Sequence, residues 1–357
     1  MICDGAGRCW PGFSLSDAGS YTAIVLSVVA ALLVCLTAHR IGQALGVMDM
    51  PDGKRKLHRG PMPLTGGLAL LAGAFAAIVG SLLLAPAASF SPTPTWLISV
   101  TLFIATAVLG FLDDRHVLPA SRKLGLTAIW LSLLVGLHAG HIPPAFTLSG
   151  FEVEISSLAM GVLSVVGALF VIHAISIIDG IDGLCASSGL VWITTLLCLP
   201  GTGSDPFLLG LVAALAVVLI FNLAGRLFLG ESGASLIAAV VAIYGLQALG
   251  SGAITHGQAI AFMFIPAFDA FLLILLRLLR GQTIFAAGRD HLHHFLADGW
   301  GLATWQVSAI YTAATAAACA GALHFPELDA EIIAVSAAIC VLVRVTAPRP
   351  LSASGAK

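Results

Sequence analysis

The chain has 357 residues, of which 59% are hydrophobic and only 10% charged, with a formal net charge of −2. Soluble domains carry roughly 25% charged residues, so a mean hydropathy of +1.02 excludes an ordinary soluble fold. What remains is a polytopic membrane protein.

Crossing a hydrocarbon core of about 30 Å takes about 20 apolar residues, and runs of that kind recur along the whole chain. In chain order the predicted helices cover 20–38, 64–85, 96–112, 124–140, 158–178, 184–200, 206–223, 234–250, 259–279, 303–323 and 330–346. The expected fold is an all-α, polytopic helical bundle of about eleven transmembrane helices. Its expected divisions are an external N-terminal segment (1–19), a single transmembrane domain (20–346) and a cytoplasmic tail (347–357). Asp4 and Asp17 precede the first span and no basic run leads into it, so it reads as a retained helix rather than a cleaved signal. Gly66, Gly67 and Gly73, and the alanine series from Ala313 to Ala320, suit close helix contact. Cys35, Cys185, Cys198, Cys319 and Cys340 lie in or at the end of apolar spans as small hydrophobes, which leaves Cys3 and Cys9 as the two that could pair.

Charge clusters in five islands between these helices, which hold 12 of the 34 charged residues: KRKLHRG (Lys54–Gly60), LDDR (Leu112–Arg115), DGIDG (Asp179–Gly183), FLGESG (Phe228–Gly233) and GRDHLHH (Gly288–His294). Carboxylates and imidazoles beside lipid are costly, so their retention calls for a function. Cytoplasmic loops are enriched in Lys and Arg. Of the 16 basic residues, all but Arg8 fall in or beside odd-numbered connections or the C-terminal tail. The even-numbered connections SPTPT, SGFEVE, GTGSDP and FPELD carry proline, glycine and acids instead. The topology that follows has an external N-terminus and a cytoplasmic C-terminus, with all five islands on the cytoplasmic face of the inner membrane. Only His173 and Asp269 are expected deep in the bundle, each as a buried polar group satisfied by a neighbouring helix. Asp269 could equally pair with a basic residue near its own helix end.

Each island has a chemical and a bland reading. Asp113 and Asp114 close the third span, where one could bind a cation while the other orients or deprotonates a substrate oxygen; a solvated helix end is the alternative, against which the helix dipole argues mildly for a cation partner. Asp179 and Asp182 would share a face if the backbone stays helical, while Gly180 and Gly183 suit approach by a phosphate; a plain Asp-Gly turn is the alternative. Glu231 offers hard oxygen to Mg²⁺, or is an acidic residue in an ordinary helix cap. His291 and His294 can share a helix face from which His293 diverges, and no cysteine or nearby acid completes a zinc set. Binding of a phosphate or sugar with Arg289 is the other reading. The basic residues from Lys54 to Arg59 attract anions or anchor the loop beside the membrane. Together the islands point to metal-assisted chemistry on a phosphorylated substrate.

In this order the islands resemble the polyprenyl-phosphate N-acetylhexosamine-1-phosphate transferases, which start lipid-linked glycan synthesis. The matching elements are DMPDGKRKLHRGPMPLTGG, GFLDDR, IIDGIDGL, FNLAGRLFLGESGAS and RDHLHH, from about residue 49 to 294. The resemblance implies a UDP-N-acetylhexosamine donor, a polyprenyl phosphate acceptor such as undecaprenyl phosphate, and Mg²⁺ or Mn²⁺. The partners are otherwise membrane lipid, with a homodimer allowed and no nucleic acid. It also implies catalytic roles for Asp113, Asp114, Asp179 and Asp182, and metal binding by Glu231 and Asp114. Substrate binding falls to Lys56, His58, Asn222, Arg289, His291, His293 and His294. The HxHH element looks more like the GlcNAc-1-phosphate branch than the muramyl-pentapeptide branch. Where the family has MGD this chain reads LGE, so Glu231 replaces an aspartate; His173 and Ser176 stand where asparagines are common, and Arg226 where lysine is. Two readings compete with the transferase: a transporter or flippase, which would distribute protonatable groups along a crossing path, and a silent homologue that binds lipid phosphate without turnover.

Overall fold

The computed structural model describes residues 2–3, 9–10, 18–51, 60–84, 93–137, 142–143, 145–203, 205–283 and 288–348. Its long helices are α1 (Ala18–Leu36), α3 (Gly66–Leu84), α4 (Pro94–His116), α5 (Ala120–Leu137), α6 (Ser157–Ile177), α7 (Leu184–Leu197), α8 (Pro206–Leu223), α9 (Gly230–Gly250), α10 (His256–Leu279), α12 (Thr304–His324) and α13 (Asp329–Thr346). Short α2 (Ala38–Leu45) follows α1, and α11 (Leu292–His294) opens the histidine loop. Every predicted apolar segment is helical. Among the described residues eight helices are long and apolar enough to cross a membrane. The others are α7, which has 14 residues, α5, which carries Arg122 and Lys123 in its first turn, and α13, which holds Asp329, Glu331 and Arg344.

One contiguous hydrophobic cluster runs from Ala31 in α1 to Val343 in α13. Helix α9 lies at its centre, with buried residues along nearly its full length. It packs against α4, α6, α3 and α7. Three two-residue or three-residue antiparallel pairs decorate the connections: β1 (Ile2–Cys3) with β2 (Cys9–Trp10), β3 (Met48–Asp49) with β4 (Met62–Pro63), and β5 (Phe146–Leu148) with β6 (Phe151–Val153). In the first of these Cys3 stands opposite Cys9 in backbone register.

The two sets of connections separate to opposite ends of the bundle. At one end Trp96 Nε1 donates to Asp205 (3.3 Å), Tyr244 donates to the same carboxylate (2.5 Å), and Asp329 accepts from the Ser149 amide (3.0 Å) and Thr255 hydroxyl (3.2 Å). Asp205, Ser149 and Asp329 belong to the proline-rich and acidic connections. Asp113 and Asp114 lie at the far end of α4, about 27 Å from Trp96 at 1.5 Å per residue.

Small residues let the helices carrying charge approach closely. A Cβ on Gly110 of α4 would stand 2.6 Å from the Glu231 carbonyl oxygen, and one on Gly67 of α3 would stand 2.4 Å from the Gly233 nitrogen. Both contacts are with backbone, which cannot move aside cheaply. Gly110→Val is therefore expected to lower stability by about 1–3 kcal/mol, measured as thermal unfolding in detergent. Gly125→Val, at a site with nothing within 4 Å, should leave unfolding unchanged.

Candidate functional site

The site is built around the amino end of α9. The chain enters it through Gly230, whose φ of +75° belongs to the left-handed region and whose Cβ position would lie 2.8 Å from Asp114 Oδ2. A side chain there is excluded on both counts. Asp114, in the last turn of α4, accepts the Glu231 amide on Oδ1 (2.8 Å) and the Ser232 amide on Oδ2 (3.0 Å). A carboxylate thus meets the unpaired amides and positive dipole end of a second helix. The cap expected of Glu231 is supplied by Asp114, which leaves the Glu231 carboxylate facing the site.

Asp113 finds the cation that its helix position calls for. Lys123, in the first turn of α5, donates to Asp113 Oδ2 (2.8 Å) and to Glu231 Oε1 (3.3 Å). Asp113 Oδ1 also accepts the Leu118 amide (2.5 Å), closing the turn between α4 and α5. Ser235 Oγ donates to Glu231 from one turn further along α9 (3.3 Å).

Asp179 and Asp182 do not sit on one helical face. Helix α6 stops at Ile177 and the DGIDG segment is a turn that ends at Gly183, φ +82°. The two glycines favour this break over helix continuation. Asn222, 4% exposed, holds the turn: its Oδ1 accepts the Gly183 amide (2.6 Å) and its Nδ2 donates to the Leu227 carbonyl (3.0 Å). The carboxamide expected to meet substrate is thus spent on fixing the turn to the segment that leads into Glu231. Burial pushes the Asp179 carboxyl well above its ordinary range, and the negative charges of Glu231, Asp114 and Asp182 push it further. Those causes place Glu231, Asp114 and Asp182 within electrostatic reach of Asp179.

The histidine loop closes another side. His293 Nε2 would lie 3.0 Å, and His294 Nε2 3.8 Å, from a Cβ on Gly180. The divergence of His293 expected from helical spacing is not seen, because α11 is a single turn followed by π-helical residues Phe295–Gly299. All three rings stay adjacent, with centroids 5.7 Å apart for His291 and His293 and 4.2 Å for His293 and His294. Both nitrogens of His293 and Nδ1 of His294 are buried with no partner among the described residues. Burial lowers both imidazole pKa values, that of His294 to about 4, so the rings are neutral.

His291 turns to an acid that sequence spacing did not reveal. Asp269 of α10, 2% exposed, accepts from Arg344 of α13 (2.5 Å) and the Leu292 amide (2.9 Å), and its other oxygen meets His291 Nδ1 at 2.9 Å. The basic residue near its own helix end, Arg277, instead faces Asp290 at 3.9 Å. Arg289 forms a two-bond pair with Asp298 (2.8 and 2.9 Å). Lys56 and His58 lie outside the described residues. His173 does not find the neighbouring-helix partner expected of it: Nε2 is buried without a hydrogen bond among the described residues. Lys123 is the residue that the site adds. Its signal was a lysine opening an otherwise apolar span shortly after the paired aspartates.

The family described as glycosyl transferase family 4 matches residues 95–249, a stretch that includes Asp113, Asp114, Asp179, Asp182, Asn222 and Glu231. A probable undecaprenyl-phosphate N-acetylglucosaminyl 1-phosphate transferase of Bacillus subtilis (strain 168) is 28% identical, over 77% of this chain and 76% of its own. A decaprenyl-phosphate N-acetylglucosaminephosphotransferase of Mycobacterium leprae (strain TN) is 27% identical over 77% and 75%. An undecaprenyl-phosphate alpha-N-acetylglucosaminyl 1-phosphate transferase of Yersinia pestis is 26% identical over 83% and 81%. These matches bear out the family resemblance carried by the five islands.

The crowding of Asp179 has a consequence for stability. A carboxyl whose folded pKa lies above its unfolded value near 3.8 contributes stability below that value and loses it as pH rises through the folded pKa. Asp179→Asn is expected to unfold at a higher temperature than the parent at pH 8, with the difference shrinking toward pH 5. Thermal unfolding across that range, in detergent, measures it.

Proposed function

We propose that the chain transfers an N-acetylhexosamine-1-phosphate, GlcNAc-1-phosphate or a derivative, from a UDP-sugar to polyprenyl phosphate, with undecaprenyl phosphate the expected acceptor. The products are polyprenyl-diphosphate-sugar and UMP, and the step begins a lipid-linked glycan. The observation that carries this reading is the meeting of Asp113, Asp114 and Glu231 at the amino end of α9, with Lys123 between two of them and Asp179 within electrostatic reach of Asp114 and Glu231. A transporter would place such groups along a crossing path. Here the buried Asp269 of α10 is tied to Arg344 and the histidine loop.

The same convergence supports placing the site at the cytoplasmic face of the inner membrane, in an eleven-span topology with the N-terminus outside. The positive-inside distribution of Lys and Arg favours that orientation. The exposed Leu33, Leu36, Leu83 and Ile220 suit contact with lipid.

A phosphate on the acceptor would approach Asp113 and Lys123, the acid accepting a proton or holding the attacking oxygen and the ammonium offsetting its charge. The donor diphosphate would lie over the DGIDG turn, with neutral His293 and His294 offering their unpartnered nitrogens to it or to the sugar. Lys56, His58 and Arg289 would add charge to the same anion, Arg289 once released from Asp298.

Mg²⁺ or Mn²⁺ fits these residues. Their donors are hard carboxylate oxygens, and Asp179 sits among like charges that a cation would relieve. Among the described residues no three His, Cys, Asp or Glu form a ready-made metal group. That suits a cation bound by one or two carboxylates, here Glu231 and Asp114, and shared with substrate phosphates. When bound it would neutralise charge on the transferring phosphoryl group.

Membrane vesicles containing the chain should release UMP from UDP-GlcNAc when given undecaprenyl phosphate and Mg²⁺. Asp113→Asn and Asp114→Asn should each lower the rate at least about a hundredfold, the scale of lost transition-state charge stabilisation. No UMP from any UDP-N-acetylhexosamine would end the proposal.

A further inference from the structure

Outside the acidic site, the same end of the bundle holds a cleft of about 440 Å³ between the α1–α2 junction and the α8–α9 connection. That volume falls within the range of small-ligand pockets, about 300–1,000 Å³. Helix α1 breaks at Thr37, whose hydroxyl turns back to the Leu33 carbonyl (2.6 Å), and α2 then presents His39 and Arg40 to one wall. The other wall is Phe221, Gly225 and Arg226, with the Arg226 guanidinium 5.9 Å from the Phe221 ring centroid. Neither arginine nor His39 has an acidic partner among the described residues.

Topological anchoring explains why arginines lie on this side, but not why two from distant segments share one cleft whose lining, among the described residues, holds no acid in a chain of net charge −2. The surface beside the cleft supplies the second observation. Leu33 and Leu36 of α1 and Ile220 of α8 are 60%, 63% and 67% exposed, an apolar stripe on the same two helices. Cations at the end of a lipid-facing stripe complement a molecule with an anionic head and hydrocarbon chains.

We propose that this cleft binds the head group of an anionic phospholipid, with its phosphate held by Arg40 and Arg226 and its acyl chains along Leu33, Leu36 and Ile220. The site is separate from the carboxylates, yet Arg226 lies on the segment between Asn222, which pins the DGIDG turn, and Glu231. An occupied cleft therefore fastens that segment to α1 and α2. The inference rests on the membrane-spanning reading and not on the transfer reaction, so it is tested by binding alone.

The chain is placed in vesicles of phosphatidylcholine mixed with phosphatidylglycerol, extracted in neutral detergent, and the retained lipid counted by native mass spectrometry. The parent is expected to keep phosphatidylglycerol over phosphatidylcholine. At about 1 kcal/mol per basic residue near the lipid surface, Arg40→Gln with Arg226→Gln should weaken retention about thirtyfold, while Arg40→Lys with Arg226→Lys should hold it nearly unchanged. Thermal unfolding of each variant in neutral detergent confirms that it is folded, and the single Gln variants replace the double one should it not be. Equal retention by parent and Gln variants, no preference over phosphatidylcholine, or displacement by millimolar inorganic phosphate would each overturn the proposal, the last by showing a site for free anions.

Discussion

The site depends on one joint: Asp114 at the carboxyl end of α4 bonded to two amides at the amino end of α9. A carboxylate at the end of its own helix is unfavourable against that helix's dipole, and free amides at the start of a buried helix are unfavourable too. Each offsets part of the other's cost, at about 0.5–1.5 kcal/mol net per hydrogen bond. The joint also determines where the remaining acids go. Glu231 follows its bonded amide into the site, Lys123 bridges it to Asp113, and Gly110 and Gly230 give the two backbones room to meet.

Around that joint the protein holds groups that do not favour folding. Asp179 is crowded by three other acids, and His293 and His294 are buried with nitrogens unpartnered among the described residues. Such groups persist where the surroundings over-determine them. Here the surroundings are specific: Asn222 pins the DGIDG turn, and Asp269, with Arg344 behind it, holds His291 and the start of the loop. Asp269 and Arg344 lie beyond residues 95–249, so the last helices of the bundle position a loop that faces the matched region.

Much of this was legible because hydropathy and charge are local properties. Each predicted apolar run is a helix, and the basic-residue count separated the two ends of the bundle before any contact was known. The islands could be named for the same reason, since carboxylates in an apolar chain stand out singly. What spacing could not supply was partnership. Asp114 as the cap of another helix, Lys123 between Asp113 and Glu231, and Asp269 against His291 each join residues distant in sequence. Helical periodicity also misled where the helix gives out, at DGIDG after Ile177 and at the single turn holding the histidines.

Amide hydrogen exchange on the reconstituted protein tests the joint most directly. With Asp114 in place, the Glu231 and Ser232 amides should be protected nearly as well as the middle of α9. In Asp114→Ala that protection should be lost at the first turn of α9 and kept at Ala238–Ile243. First-turn amides that exchange fast in the parent, or that stay protected without the carboxylate, would contradict the account.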